Sequence, residues 1–198
     1  MEKELNMKTI NNYILSKIKN ETNITEKLKI SKNKQVEYIL FPKDIDELNE
    51  MISEEIYKNG KNCSLNHIDT SKITNMNNLF YRSKIAMFNG NISEWDVSNV
   101  TDMHEMFWKS EFNGDLSKWD VSNVENMCGM FDKSNFNNNS ICFWDVVKVQ
   151  TMYEMFYNSN FNQDISKWKI NPNCNTDYMF YECIIEDKYK PYKNGKRI

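Results

Sequence analysis

Four aspartates recur along the chain, Asp69, Asp96, Asp120 and Asp145, the last three each directly after a tryptophan. Stacked about 4.8 Å apart on neighbouring parallel strands, such carboxylates could share a divalent cation or raise one another's pKa. Like charges that close repel, so something must offset them. The nearest groups are the N–H and hydroxyl of Ser71, Ser98 and Ser122, two residues further on. An aspartate that caps its own turn in every copy accounts for the repetition better than a catalytic role, because a catalytic site is seldom repeated. The two histidines, His67 and His104, stand at non-equivalent places, and the chain contains no HExxH, GxSxG, GxGxxG or P-loop sequence. Cys128 reads as a small core residue rather than a nucleophile. The five cysteines lack CxxC spacing; Cys174 and Cys183, nine residues apart, can meet, but a cytosolic pair is normally reduced. The expectation is no enzyme, no metal site, no cofactor and no small-molecule substrate.

What places these residues is a repeat. Trp95, Trp119, Trp144 and Trp168 are separated by 24, 25 and 24 residues, and Phe107, Phe131, Phe156 and Phe180 follow the same intervals. A degenerate first copy runs from Leu65 to Phe80, with Ile68 in the tryptophan place, which makes about five units. In the second copy, Trp95-Asp96-Val97 alternates as a short strand would, while Val100, Met103, Met106 and Phe107 have helical spacing, with Thr101 or Asp102 as cap. One unit therefore reads as strand, turn, short helix, turn. A unit this small cannot bury its own Trp, Met and Phe, so copies must stack into one continuous core. Phe88, Phe112, Phe136 and Phe161 would form an aromatic spine. Asn89, Asn113, Asn137 and Asn162 would form a ladder whose amides satisfy backbone groups of neighbouring coils. The fold class expected is an α/β repeat, a solenoid of about five 24–25-residue coils with an N-terminal α/β cap.

Bulk composition narrows the partners. At 198 residues the chain can bury a sizeable core. A formal net charge of -3 and a pI near 5.5 give no electrostatic case for nucleic acid, except within a ribonucleoprotein partner. No run approaches the roughly 18 apolar residues of a membrane span, and the opening residues contain no secretory apolar core. A cytoplasmic protein is expected, with the cell surface or secretion as the alternative.

The copies "FNGNISEWDVSNVTDMHEMF" (Phe88 to Phe107) and "FNGDLSKWDVSNVENMCGMF" (Phe112 to Phe131) resemble the BspA-like leucine-rich repeats of many bacterial and mycoplasma surface proteins. The resemblance covers Cys63 to Phe180, and the stretch from Phe41 to Ser71 looks like the segment that leads into such arrays. It implies a curved leucine-rich-repeat solenoid used for protein binding or adhesion.

Around the array, Leu5, Ile10, Tyr13, Ile14, Leu15 and Ile18 lie close to one helical stripe within an N-terminal helical segment, residues 1–33. Residues 34–62 read as a cap. Its strand, Lys34 to Phe41, stops at Pro42, and its helix starts at Asp44 and ends at Gly60. The solenoid occupies 63–183, and a basic tail with Lys188, Lys190, Lys193, Lys196 and Arg197 occupies 184–198.

Departures from the repeat carry the individual information. The outward place before the tryptophan reads Glu94, Lys118, Phe143 and Lys167; the place after it reads Asp96, Asp120, Asp145 and Lys169; Val147 stands where three copies have Ser. Phe143 either folds back onto a neighbouring Trp or stands out as an interface anchor with a charged rim. The binding surface expected is the strand face of Phe143, Asp145, Val147, Lys118, Lys167, Lys169 and Glu94. Its partner would be another protein, engaged by an intracellular inhibitor or adaptor acting on a bacterial or phage protein; the alternative is a surface adhesin.

Overall fold

The computed structural model describes residues 26–30, 36–81 and 85–198. The chain divides into two units, Met1–Phe41 and Pro42–Ile198. In the first, β1 (Glu26–Ile30) pairs antiparallel with β2 (Val36–Leu40), from Glu26 opposite Leu40 to Ile30 opposite Val36. Val36, Tyr38 and Ile39 are types that favour a strand. The stripe from Leu5 to Ile18 lies outside the described residues. The described part of the expected 1–33 helical segment is β1, a strand, and the expected 34–62 cap is divided, its strand in the first unit and its helix in the second.

That helix, α1 (Ile45–Asn59), starts and stops where its sequence predicts. The Asp44 carboxylate accepts the Glu47 N–H at 2.9 Å, and Gly60, at φ 86°, ends it with its N–H donating to the Ile56 carbonyl. Leu48 and Ile52 on its apolar stripe are fully buried. His67 of the first repeat lies 3.5 Å from Glu55 of α1, and Asn89 donates to the Lys61 carbonyl at the helix exit.

Beyond α1 the repeats stack through parallel backbone bridges, Asn75 to Asp102, Asp102 to Asn126, Asn126 to Thr151 and Thr151 to Asn175. From each bridge, alternate N–H groups donate to the next repeat: Met103, Glu105, Phe107 and Lys109 donate to Asn126, Cys128, Met130 and Asp132, each at 2.9 Å. The same ladder joins the other neighbours. It lies in the stretch expected to be a short helix, and the reason it is not helical is local. Glu105, Gly129, Glu154 and Tyr178 all have φ between 51° and 59°, so the right-handed turn is interrupted and the N–H groups point to the next repeat.

The expected strand at Trp95-Asp96-Val97 is likewise a pair of turns, closed by Trp95 N–H to Ile92 O and Val100 N–H to Val97 O. The cause is the aspartate. Its Oδ1 accepts the N–H two residues on, an Asx turn that bends the backbone instead of extending it.

Between the turns and the ladder runs the core. Phe80, Phe107, Phe131, Phe156 and Phe180 stack with centroids 5.2, 5.4, 5.6 and 5.8 Å apart. Phe88, Phe112, Phe136 and Phe161 form the expected spine at 6.1, 6.3 and 6.3 Å. Such offset stacks add to the area that each ring buries. A close approach explains one glycine: a Cβ on Gly90 would meet the Cys63 carbonyl oxygen at 1.9 Å.

The basic tail does not hang free. Lys169 bridges to Tyr192, Ile165 donates to the Tyr189 carbonyl, and Tyr192–Lys193 (β3) pairs with Lys196–Arg197 (β4). Lys193 Nζ reaches the Cys174 carbonyl at 2.5 Å, and Arg197 donates to the Asp187 carbonyl and to the Tyr192 hydroxyl. Lys193 thus closes a backbone carbonyl that the last repeat would otherwise leave open, while Lys188, Lys190 and Arg197 are met by groups of the tail itself, Glu186, Asp187 and Tyr192.

Candidate functional site

The aspartate column performs turn chemistry. Asp69, Asp96 and Asp120 accept the N–H of Ser71, Ser98 and Ser122 at 3.0 Å, and Asp145 accepts that of Val147 at 3.2 Å. The Ser98 hydroxyl adds a 2.6 Å bond to Asp96. Bonds from the Ser122 side chain and backbone hold the Asp120 carboxyl below the usual carboxylate range. In the last repeat Lys169 takes the aspartate place and Asn171 caps instead, accepting from Asn173 at 2.9 Å. Among the described residues no group of three or more His, Cys, Asp or Glu is placed to hold a metal ion.

Two more side-chain-closed turns complete each full repeat, both Asx turns except in the fourth copy, where the Thr151 hydroxyl accepts from Tyr153. In the third copy, Asp115 accepts from Ser117 and Asn126 from Cys128. The asparagine ladder also forms: the Oδ1 of Asn89, Asn113 and Asn137 accepts the N–H of Asn113, Asn137 and Asn162, and the Asn162 Oδ1 accepts that of Glu186. A further device went unread in the sequence. The indole N–H of Trp95, Trp119, Trp144 and Trp168 donates to the carbonyl of Leu65, Ile92, Leu116 and Ile141 in the preceding repeat, at 2.9 to 3.3 Å. The signal was available: a buried Trp needs an acceptor, which an equally spaced Phe would not.

These bonds leave the individual residues to be placed. Phe143 is 86% exposed and does not fold back onto a tryptophan; Val147 is 48% exposed. Phe143 and Lys167 line one shallow cleft of about 260 Å³ with Asn139, Cys142, Gln163 and Asp164. Ser166 and Lys167 contribute to holding the Asp164 carboxyl below its usual range, Ser166 most. Glu94 and Lys118 form an exposed ion pair with each other, three and two copies away from Lys167. Lys169 carries the backbone bridge to Tyr192. The structure thus brings Phe143 and Lys167 to one cleft, while Glu94 and Lys118 form a separate pair.

All five cysteines are free, so Cys174 and Cys183 are not joined. Burial pushes the Cys128 thiol up, and Glu105, Glu154, Asp102 and Asp132 add to the effect. A thiol held protonated among carboxylates is poor as a nucleophile. Among the described residues no helix is long and apolar enough to cross a membrane.

No curated protein and no solved structure matches the chain. The model of one family matches residues 46–159 and again 109–189, two overlapping stretches that run from α1 through the last repeat. The chain belongs to that family, described as Mycoplasma protein of unknown function, DUF285.

Proposed function

We propose that the chain is a non-enzymatic protein-binding module, a short leucine-rich-repeat solenoid of the BspA-like kind, whose contact surface is centred on Phe143. The observation that carries this reading is the 86% exposure of Phe143 where the equivalent places hold Glu94, Lys118 and Lys167. An aromatic ring held out in water by rigid repeats loses little conformational freedom on binding, which favours it as an anchor. Val147 and the cleft beside Lys167 extend the apolar area, and the charged neighbours Asp145, Lys167 and Lys169 give it a polar rim. The finer likeness to BspA-like repeats supports binding as the activity. In this reading the partner is a bacterial or phage protein met in the cytoplasm, where the five free thiols stay reduced.

The test is affinity purification from the native host with the wild-type chain and with the Phe143→Ser, Lys169→Glu double variant, read by mass spectrometry. The expected result is a protein retained by the wild type and lost by the double variant, with no fall in melting temperature. Equal retention by both would remove the Phe143 surface from the proposal.

A further inference from the structure

In every repeat but the last, the ladder's N–H groups are taken up by carbonyls of the repeat that follows. The fourth copy ends the pattern with Met152, Glu154, Phe156 and Asn158 donating to Asn175, Asp177, Met179 and Tyr181. The equivalent donors one repeat on are Thr176, Tyr178, Phe180 and Glu182, and no described residue accepts from any of their N–H groups. A row of unpaired donors on alternate residues has the form of an open sheet edge, which pairs readily with another chain.

The C-terminal segment closes only the other half of this end. Thr74, Thr101, Glu125 and Gln150 each accept an N–H from the following repeat, and in the last repeat the equivalent Cys174 carbonyl is closed by Lys193 Nζ. The covering contacts stop there. The column of stacked phenylalanines also ends at Phe180, where Lys190 Nζ lies 5.8 Å from the ring centroid in place of a further ring. Around it Tyr178, Tyr181 and Ile184 are 57%, 51% and 61% exposed.

We infer that this edge docks a segment of a partner protein that takes up the turning path of a rung, laid parallel to residues 176–182 as one more rung. The segment supplies carbonyl oxygens from four alternate residues and an aromatic side chain that replaces Lys190 over Phe180. The occupant follows from the ladder itself. The second, third and fourth copies are each completed by these two features, four alternate carbonyls and a ring 5.4 to 5.8 Å from the preceding phenylalanine. Backbone pairing of this kind supplies affinity, and the aromatic place supplies selectivity. The site is separate from the Phe143 surface and does not depend on it.

The test titrates the full ¹⁵N-labelled chain with a synthetic peptide of residues 149–160, VQTMYEMFYNSN, which carries the rung pattern. The amide signals of Thr176, Tyr178, Phe180 and Glu182 are expected to shift, and their hydrogen exchange to slow by about tenfold or more. A peptide with Ser in place of its Phe should bind roughly tenfold more weakly. Thr176→Pro, which removes one donor at a residue without positive φ, should weaken binding about two- to tenfold. Phe143→Ser should leave the titration unchanged. No shift at these amides with millimolar peptide, or equal affinity in Thr176→Pro, would overturn the inference. Protection of the same amides by concentration-dependent self-association, without peptide, would overturn it in favour of a second copy of the chain.

Discussion

The two sides of each repeat join their neighbours by different means. On the tryptophan side the joints are side chains, indole N–H to carbonyl and asparagine Oδ1 to N–H, while carboxylates close turns within each repeat. On the phenylalanine side the joints are backbone to backbone, through alternate N–H groups. The copies differ accordingly. Three of the four tryptophans that mark the repeat are followed by aspartate, whereas one place on the ladder side is filled in turn by His104, Cys128, Tyr153 and Asp177. Where a side chain makes the bond its type must recur, and where the backbone makes it the outward side chain is free to vary.

The largest expected effect comes from breaking a side-chain joint in the core. Trp119→Ala should cost about 4 kcal/mol, from lost burial and from the Ile92 carbonyl left without its donor. Cys128→Ala on the ladder side should cost less than about 1 kcal/mol. Denaturant unfolding of both variants measures the gap, and comparable losses would erase the distinction between the two sides.

Turn closure should be worth less. Asp120→Ala should lose about 1 kcal/mol, while Asp120→Asn keeps the acceptor and most of the stability. Because the folded carboxyl lies below its ordinary value, its contribution is fully present above about pH 4 and is lost as pH falls through the depressed folded pKa. Acid unfolding should therefore be less steep in Asp120→Asn than in the parent; identical curves would assign the acid sensitivity elsewhere. The smallest effect should be a gain. Glu105 holds φ 51° where the next copy has Gly129 at φ 59°, so Glu105→Gly should raise stability by about 0.5 kcal/mol, readable as a small rise in melting temperature.

Much of the tryptophan side was legible in the sequence. The recurrence of Asp96 and Asp120 before Ser98 and Ser122 pointed to capped turns, and the recurrence of Asn89, Asn113 and Asn137 pointed to a ladder. Asp44 and Gly60 marked the ends of α1. The ladder side was misread because Val100, Met103, Met106 and Phe107 have helical spacing, and an i, i+3 pattern also suits a chain that buries one face through successive turns. The docking of the basic tail was not legible, because Lys193 in sequence carries no sign of the Cys174 carbonyl that receives it.

The sequence by itself determined that the chain is a stack of near-identical units, which residues of each unit face inward, and where the copies depart from one another. It could do so because periodic burial leaves a periodic record in residue type. Only the tertiary structure decided where each hydrogen bond goes. The N–H of Glu105 could close a helix or reach the next repeat, and the choice rests on a positive φ that a glutamate does not announce. The same holds for Phe143, whose exposure depends on neighbours 24 residues away, and for the four donors left open at the last rung. Backbone groups are alike in every residue, so their partners are set by stacking and not by composition.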